Sequence, residues 1–275
     1  MNVRHSSFIL HPSSLRHMDV PAAVTAPFRY RRWLPYWAVL RTDVRQTFRS
    51  WVYRLWVVVT LLAAGGFLLY RFGVHREAGL TQPAAVHTSD LLRAVALGSL
   101  ALIVILCVSS ISSERGTLAD SVLSRGISRY QYFLAKWHAR TIVVVFTFAA
   151  MASVMLGAFH FLLTDDLSLT GCLAAVVTIS ALLAAVVAMG VAVGSVSNST
   201  VVGITALWIF LYGSGLLMSL LPTTFPTPEK ALSRLPYVLQ GQYNLAALAD
   251  WVLGGLAVAI GSAVAGVLAF ARKDV

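Results

Sequence analysis

Six stretches of the chain, at about 52 to 72, 91 to 112, 137 to 163, 169 to 194, 200 to 221 and 251 to 271, are each predominantly apolar for more than 20 residues. A helix needs roughly 20 such residues to cross about 30 Å of hydrocarbon, so every one of these runs is long enough to span a bilayer. Strands do not fit: the runs are too long, rich in Ala and Leu, and free of period-two alternation. The pattern predicts an all-α integral membrane protein with six transmembrane helices. With 58% hydrophobic and 12% charged residues and a mean hydropathy of +0.76, a water-soluble domain would carry large apolar patches on its surface. At 275 residues the six spans leave no space for a second folded domain of ordinary size, so a large soluble partner is expected to be a separate chain.

The formal net charge of +10 would suggest nucleic acid in a soluble protein, but here the placement of the charges decides. Nine arginines fall in residues 1 to 54, five basic residues lie in the segment 113 to 140, and two follow the sixth run, whereas the opposite side holds only Arg71, Arg76, Arg93, Lys230 and Arg234. The excess of Lys and Arg marks the cytoplasmic side. It places both termini and the segment 113 to 140 in the cytoplasm of a multi-pass protein of the cell (inner) membrane, in agreement with an even number of spans. No nucleic-acid partner is expected; the lipid membrane is.

Residues 1 to 32 are rich in Ser, His, Pro and Arg and hold no apolar run long enough for the h-region of a signal peptide. They read as a disordered cytoplasmic segment ahead of one transmembrane domain over 33 to 275, and Met18 is an alternative start, since nothing before it shows periodicity. From Trp33 to Trp51 the large apolar residues Trp33, Trp37, Leu40, Val44, Phe48 and Trp51 recur at helical steps, while Arg41, Asp43, Arg45, Gln46 and Arg49 take the other side. This composition predicts an interfacial amphipathic elbow helix over 33 to 50, with Trp37, Arg41, Arg45, Phe48 and Arg49 at the membrane surface. A soluble amphipathic helix is the alternative, disfavoured by direct continuity with the first span.

Several function classes are excluded or weakened. Cys107 and Cys172 have neither CxxC nor Cys/His spacing, so no disulfide framework or zinc site is expected. No charged residue stands between Asp166 and Glu229, which counts against an ion-coupled carrier. His160 near the outer end of the third run reads as a solvated histidine, and Met151 with Met155 reads as packing rather than a copper site. Gly213-Ser214-Gly215 suggests a buried nucleophile, but the sixth run contains no histidine to serve as base. Gly190 with Gly194, and Ala257, Gly261 and Ala265, have the spacing of close helix contacts, within a protomer or between two. Polar and aromatic residues within or beside the spans, Ser99, Ser109, Thr205, Trp208, Tyr212 and Ser214, are candidates for a translocation pathway. Residues 222 to 250, with four prolines, predict short helices capping the outer end.

The most organised connection is SSERGTLADSVLSRGISRYQYFLAKWHAR, residues 112 to 140. Thr117 to Arg125 can form a short helix with Leu118 and Val122 one turn apart and Gly126 as its breaker. Ser128 and Gln131 form a capping box for the helix entering the third span. This stretch resembles the cytoplasmic signature of the type-2 ATP-binding-cassette exporter permeases, with Glu114, Gly116, Thr117, Leu118, Leu123, Ser124, Ile127, Ser128, Arg129 and Lys136 in matching places. Phe270-Ala271-Arg272-Lys273-Asp274-Val275 is similar to that family's ending. Ser112, Gly126 and Ala135 depart from the pattern at an acidic, a proline and a glycine position, and the acid after Gly116-Thr117-Leu118 comes one place late as Asp120. The resemblance implies that residues 114 to 125, with Glu114, Arg115, Gly116, Thr117, Leu118, Asp120, Val122, Leu123 and Arg125, act as a coupling helix seated on a cytoplasmic ATPase. It also implies a second permease copy, as homodimer or heterodimer. The chain has no GxxxxGK(S/T) loop and no catalytic constellation, so ATP and Mg are expected on the partner ATPase and no cofactor on this chain. A solvated loop that only sets topology, in a non-transporting scaffold or assembly protein, is the competing reading.

Overall fold

The computed structural model describes residues 33–78, 83–114, 127–162, 166–220 and 227–272. Contacts divide the chain into Met1–Leu34, of which Trp33 and Leu34 are described, and a second body, Pro35–Val275. All regular structure among the described residues is helical: α1 (Leu34–Arg49), α2 (Trp51–Ala78), α3 (Ala84–Ser112), α4 (Arg129–Leu162), α5 (Leu169–Val196), α6 (Thr200–Ser219), α7 (Pro228–Ser233), α8 (Leu235–Leu239) and α9 (Leu245–Arg272).

Six of these, α2 to α6 and α9, are long and apolar enough to cross a membrane. They coincide with the six apolar runs, extended by up to eight residues at their ends where a helix outlasts its apolar stretch. Leu62, Leu69, Phe146, Val154, Ile209 and Leu216 lie exposed on the outside of the bundle, an arrangement that fits a multi-pass membrane protein and would be insoluble in water.

The hub is α5, which packs against α3, α4, α6 and α9. Its residues facing α3 and α9 are small. A Cβ on Gly190 would stand 2.7 Å from Cys107 Cβ, and one on Gly194 would run into the Val108 carbonyl, so the two backbones touch as the Gly190/Gly194 spacing predicts. Toward α9 the contact runs through Gly255, Ala259, Ala263, Gly266 and Phe270, with Gly255 against Ala181 and Gly266 against Ala192 and Phe133. Ala257, Gly261 and Ala265, expected in close contact, lie exposed on the other side of α9, and nothing stands within 4 Å of a Cβ on Gly261. Of the two contacts this spacing allows, within a protomer or between two, the one within the protomer is made by the neighbouring row of Gly255, Ala259, Ala263 and Gly266.

At the end of the bundle where α5 begins, here the distal end, α7 and α8 cap it as short helices. Ser168 caps α5 by accepting from Gly171 N, and its own N–H donates to Leu239 O at 2.9 Å. Asp166 accepts from Ala85 N at 3.0 Å and from Gln240 Nε2 at 3.1 Å, fastening the start of α3 to the turn after α8. Gly241 takes φ +80° in that turn, a conformation that favours glycine.

Candidate coupling site

At the opposite, proximal end, the α1 side of the bundle contains a buried charge cluster assembled from three separated segments. Lys136 on α4 places its Nζ 2.7 Å from Asp43 Oδ1 on α1 and 2.7 Å from Glu114 Oε1, just past the end of α3. Tyr132, one turn before Lys136, donates its hydroxyl proton to Glu114 Oε2. Arg140, one turn after it, donates from Nη1 to Thr47 Oγ1 at 2.7 Å and sets Nε 3.4 Å from Asp43 Oδ2. Thr47 passes its own proton to the Asp43 carbonyl. Two acids and two bases therefore neutralise one another in a site where Asp43 is 2% and Lys136 3% exposed.

Local sequence explains why these groups meet. Tyr132, Lys136 and Arg140 recur at four-residue steps, so they form one stripe on α4. Leu40, Asp43 and Thr47 form the corresponding stripe on α1 and are its buried residues. Leu40 packs on Ala135 and Ala139, whose small side chains let α1 lie close to α4. Ala135 stands where the resembled pattern has glycine, and it is fully buried in this contact. Tyr36 and His138 close the outer edge: His138 Nδ1 lies 2.8 Å from the Leu134 carbonyl and 3.0 Å from the Tyr36 hydroxyl. Because a carbonyl only accepts, Nδ1 carries the proton. Burial raises the Tyr36 phenol above the ordinary tyrosine value.

The start of α4 is capped as the sequence predicts. Gln131 N donates to Ser128 Oγ at 3.2 Å, and Ser128 N donates to Gln131 Oε1 at 3.3 Å. Arg129 Nη1 reaches the Ala271 carbonyl at 3.3 Å, and Phe270 stacks on Tyr132 at 6.2 Å and tilts over Phe133 at 6.4 Å. The end of α9 is thus clamped to the stripe that carries the cluster. Ser112, standing where the resembled pattern has an acid, is 9% exposed; it donates to Val108 O at 2.8 Å and lies 2.8 Å from Thr200 Oγ1 at the start of α6. A hydroxyl satisfies that contact without a buried charge.

Compared with known proteins, the chain matches no protein-family model and no curated protein sequence.

Of the predicted coupling residues, Glu114 lies in the cluster, while Arg115, Gly116, Thr117, Leu118, Asp120, Val122, Leu123 and Arg125 fall outside the described residues, as does the predicted helix 117 to 125. The elbow region is the helix α1, with Trp37, Arg41, Arg45, Phe48 and Arg49 all exposed. Asp43, read from the sequence as part of the polar outer side, is turned inward instead, because Lys136 and Arg140 offer it two cations that water alone does not. Thr47, Tyr132 and Arg140 were not singled out in the sequence. A lone acid among arginines on α1, and two bases four residues apart at the mouth of a span, are the signals that point to them.

The candidate pathway residues are not gathered around one passage among the described residues. Ser99 is buried and accepts from Trp56 Nε1 at 2.7 Å, joining α3 to α2. Ser109 donates to Leu106 O and borders a cavity of about 160 Å³ whose lining includes Gln46, Ser50, Ser113, Glu114 and Arg140. Thr205 and Tyr212 are exposed on α6, with Trp208 stacked on Tyr212 at 5.4 Å, and Ser214 bonds back to Leu211 O at 3.0 Å.

Proposed function

We propose that the chain is the membrane-spanning permease subunit of an ATP-binding-cassette exporter, moved by a separate cytoplasmic ATPase that presses on residues 114 to 125. The observation that carries this reading is the tether on Glu114: the first residue of that segment is bound to Tyr132 and Lys136 of α4 and, through Lys136, to Asp43 of α1. A push on the segment reaches two long helices through short charged bonds rather than through slack chain. Displacement then becomes tilting, the rigid-body movement that alternating access uses. The polar cavity beside Glu114 and Arg140 gives the cluster room to shift its partners without burying a bare charge.

The resemblance of residues 112 to 140 and 270 to 275 to type-2 permeases supports the same division of labour, with ATP and Mg on the partner and a second permease copy completing the pathway. The proximal end is the cytoplasmic one in this reading, since it holds the arginine-rich α1 and the basic connection before α4. Affinity purification of the full chain from its native membrane tests the proposal: a stoichiometric nucleotide-binding subunit is expected, and a stable complex without one supports the scaffold reading instead. Glu114→Ala with Arg115→Ala should abolish transport while insertion and monodispersity persist, and unchanged transport refutes the assignment of the segment.

A further inference from the structure

The outward side of α1 is built in two strips that the charge cluster does not use. One turn of the helix after another presents Arg41, Arg45 and Arg49, all exposed. None of the three has a carboxylate partner among the described residues. Beside them run Trp37 and Phe48, 63% and 39% exposed, with Trp51 at the head of α2 73% exposed. The remaining face, with Leu40, Asp43 and Thr47, is buried against α4.

This partition leaves a charge out of balance. Asp43 is the only acid on α1, and it is consumed on the buried side by Lys136 and Arg140. The outward side therefore shows three guanidinium groups and no acid over about 12 Å of helix, the eight steps from Arg41 to Arg49 at about 1.5 Å each. Only Ser50 separates α1 from the first candidate span, so the arginine row starts, at Arg49, two residues from where that span begins. Aromatic rings at a membrane surface sit among lipid headgroups, and arginine stems lie along apolar surface while their heads reach outward.

We infer that the outward side of α1 binds anionic phospholipid headgroups, with Arg41, Arg45 and Arg49 taking the phosphates and Trp37 and Phe48 resting among the adjoining acyl chains. The inference needs the six-span architecture alone and stands whether or not an ATPase partner exists. An acidic protein would complement the arginines but leave the two rings beside them in water, whereas a lipid surface satisfies both strips at once. Because the buried side of the same helix holds Lys136 and Arg140, lipid charge fixes the element on which the cluster is anchored.

Native mass spectrometry of the purified full chain, incubated with equal amounts of palmitoyl-oleoyl phosphatidylglycerol and phosphatidylcholine, tests this. Phosphatidylglycerol should be retained in preference, and the preference should fall about five-fold for each of Arg41→Gln, Arg45→Gln and Arg49→Gln, and about a hundred-fold in the triple variant. Arg93→Gln, exposed on α3 toward the distal end, should keep it. The substituted side chains are exposed, so elution and thermal unfolding in phosphatidylcholine should match those of the parent and show that lost binding is not lost folding. A triple variant that keeps the preference overturns the inference, and so does an equal loss in Arg93→Gln, which would assign the effect to total charge.

Discussion

Replacing Lys136 by methionine keeps most of the stem's volume and deletes the cation that joins three segments. Two charge-assisted bonds of 2.7 Å vanish, each worth about 1.5–3 kcal/mol where the partners are buried. The two acids do not suffer equally. Glu114, 17% exposed and beside the polar cavity, keeps Tyr132 and gains water. Asp43, 2% exposed, is left with Arg140 at 3.4 Å. Breaking a buried ion pair costs about 3–5 kcal/mol, and the residual guanidinium brings the expected loss to the lower end, about 3 kcal/mol. Asp43→Asn added to Lys136→Met restores neutrality, one acid against one base, so the double variant should be more stable than the sum of the single losses predicts by about 2 kcal/mol. Equilibrium unfolding in mixed micelles, followed by tryptophan fluorescence, measures all three variants. A loss below about 1 kcal/mol for Lys136→Met, or strict additivity in the double variant, refutes the cluster as a cooperative unit.

Two further changes probe the scaffold around it. Gly194→Ala should cost about 1–3 kcal/mol by driving α5 off the Val108 carbonyl, whereas Gly261→Ala, with open space around its Cβ, should cost nothing measurable; thermal unfolding compares them. Ser128→Ala should cost about 1 kcal/mol by removing the cap on α4, and hydrogen exchange should speed up at Gln131 while the centre of α4 is unchanged.

The six spans were legible because hydrocarbon demands a length and a polarity that no other element in this chain satisfies. The cap at Ser128 and Gln131, the α3–α5 contact at Gly190 and Gly194, and the short helices α7 and α8 were legible too, since each depends on a few neighbouring residues. What joins distant segments was not. Asp43 stands 93 positions from Lys136 and 71 from Glu114, and on its own helix it looks like one more polar residue on a basic face. Only the approach of α4 decides which way it turns. Small residues repeat on two faces of α9, and only the approach of α5 decides which row packs inside the protomer and which, with Ala257, Gly261 and Ala265, stays on the outside.

The contact between Gly194 and Val108 also limits how the bundle can open. Where two backbones meet with no side chain between them, no lumen can open unless the helices are prised apart, and neighbours on both flanks of α5 resist that. The seam between α3 and α5 is therefore closed at the proximal end, and the openly exposed surfaces of the bundle lie instead on α2 and α6, the two least buried of its long helices.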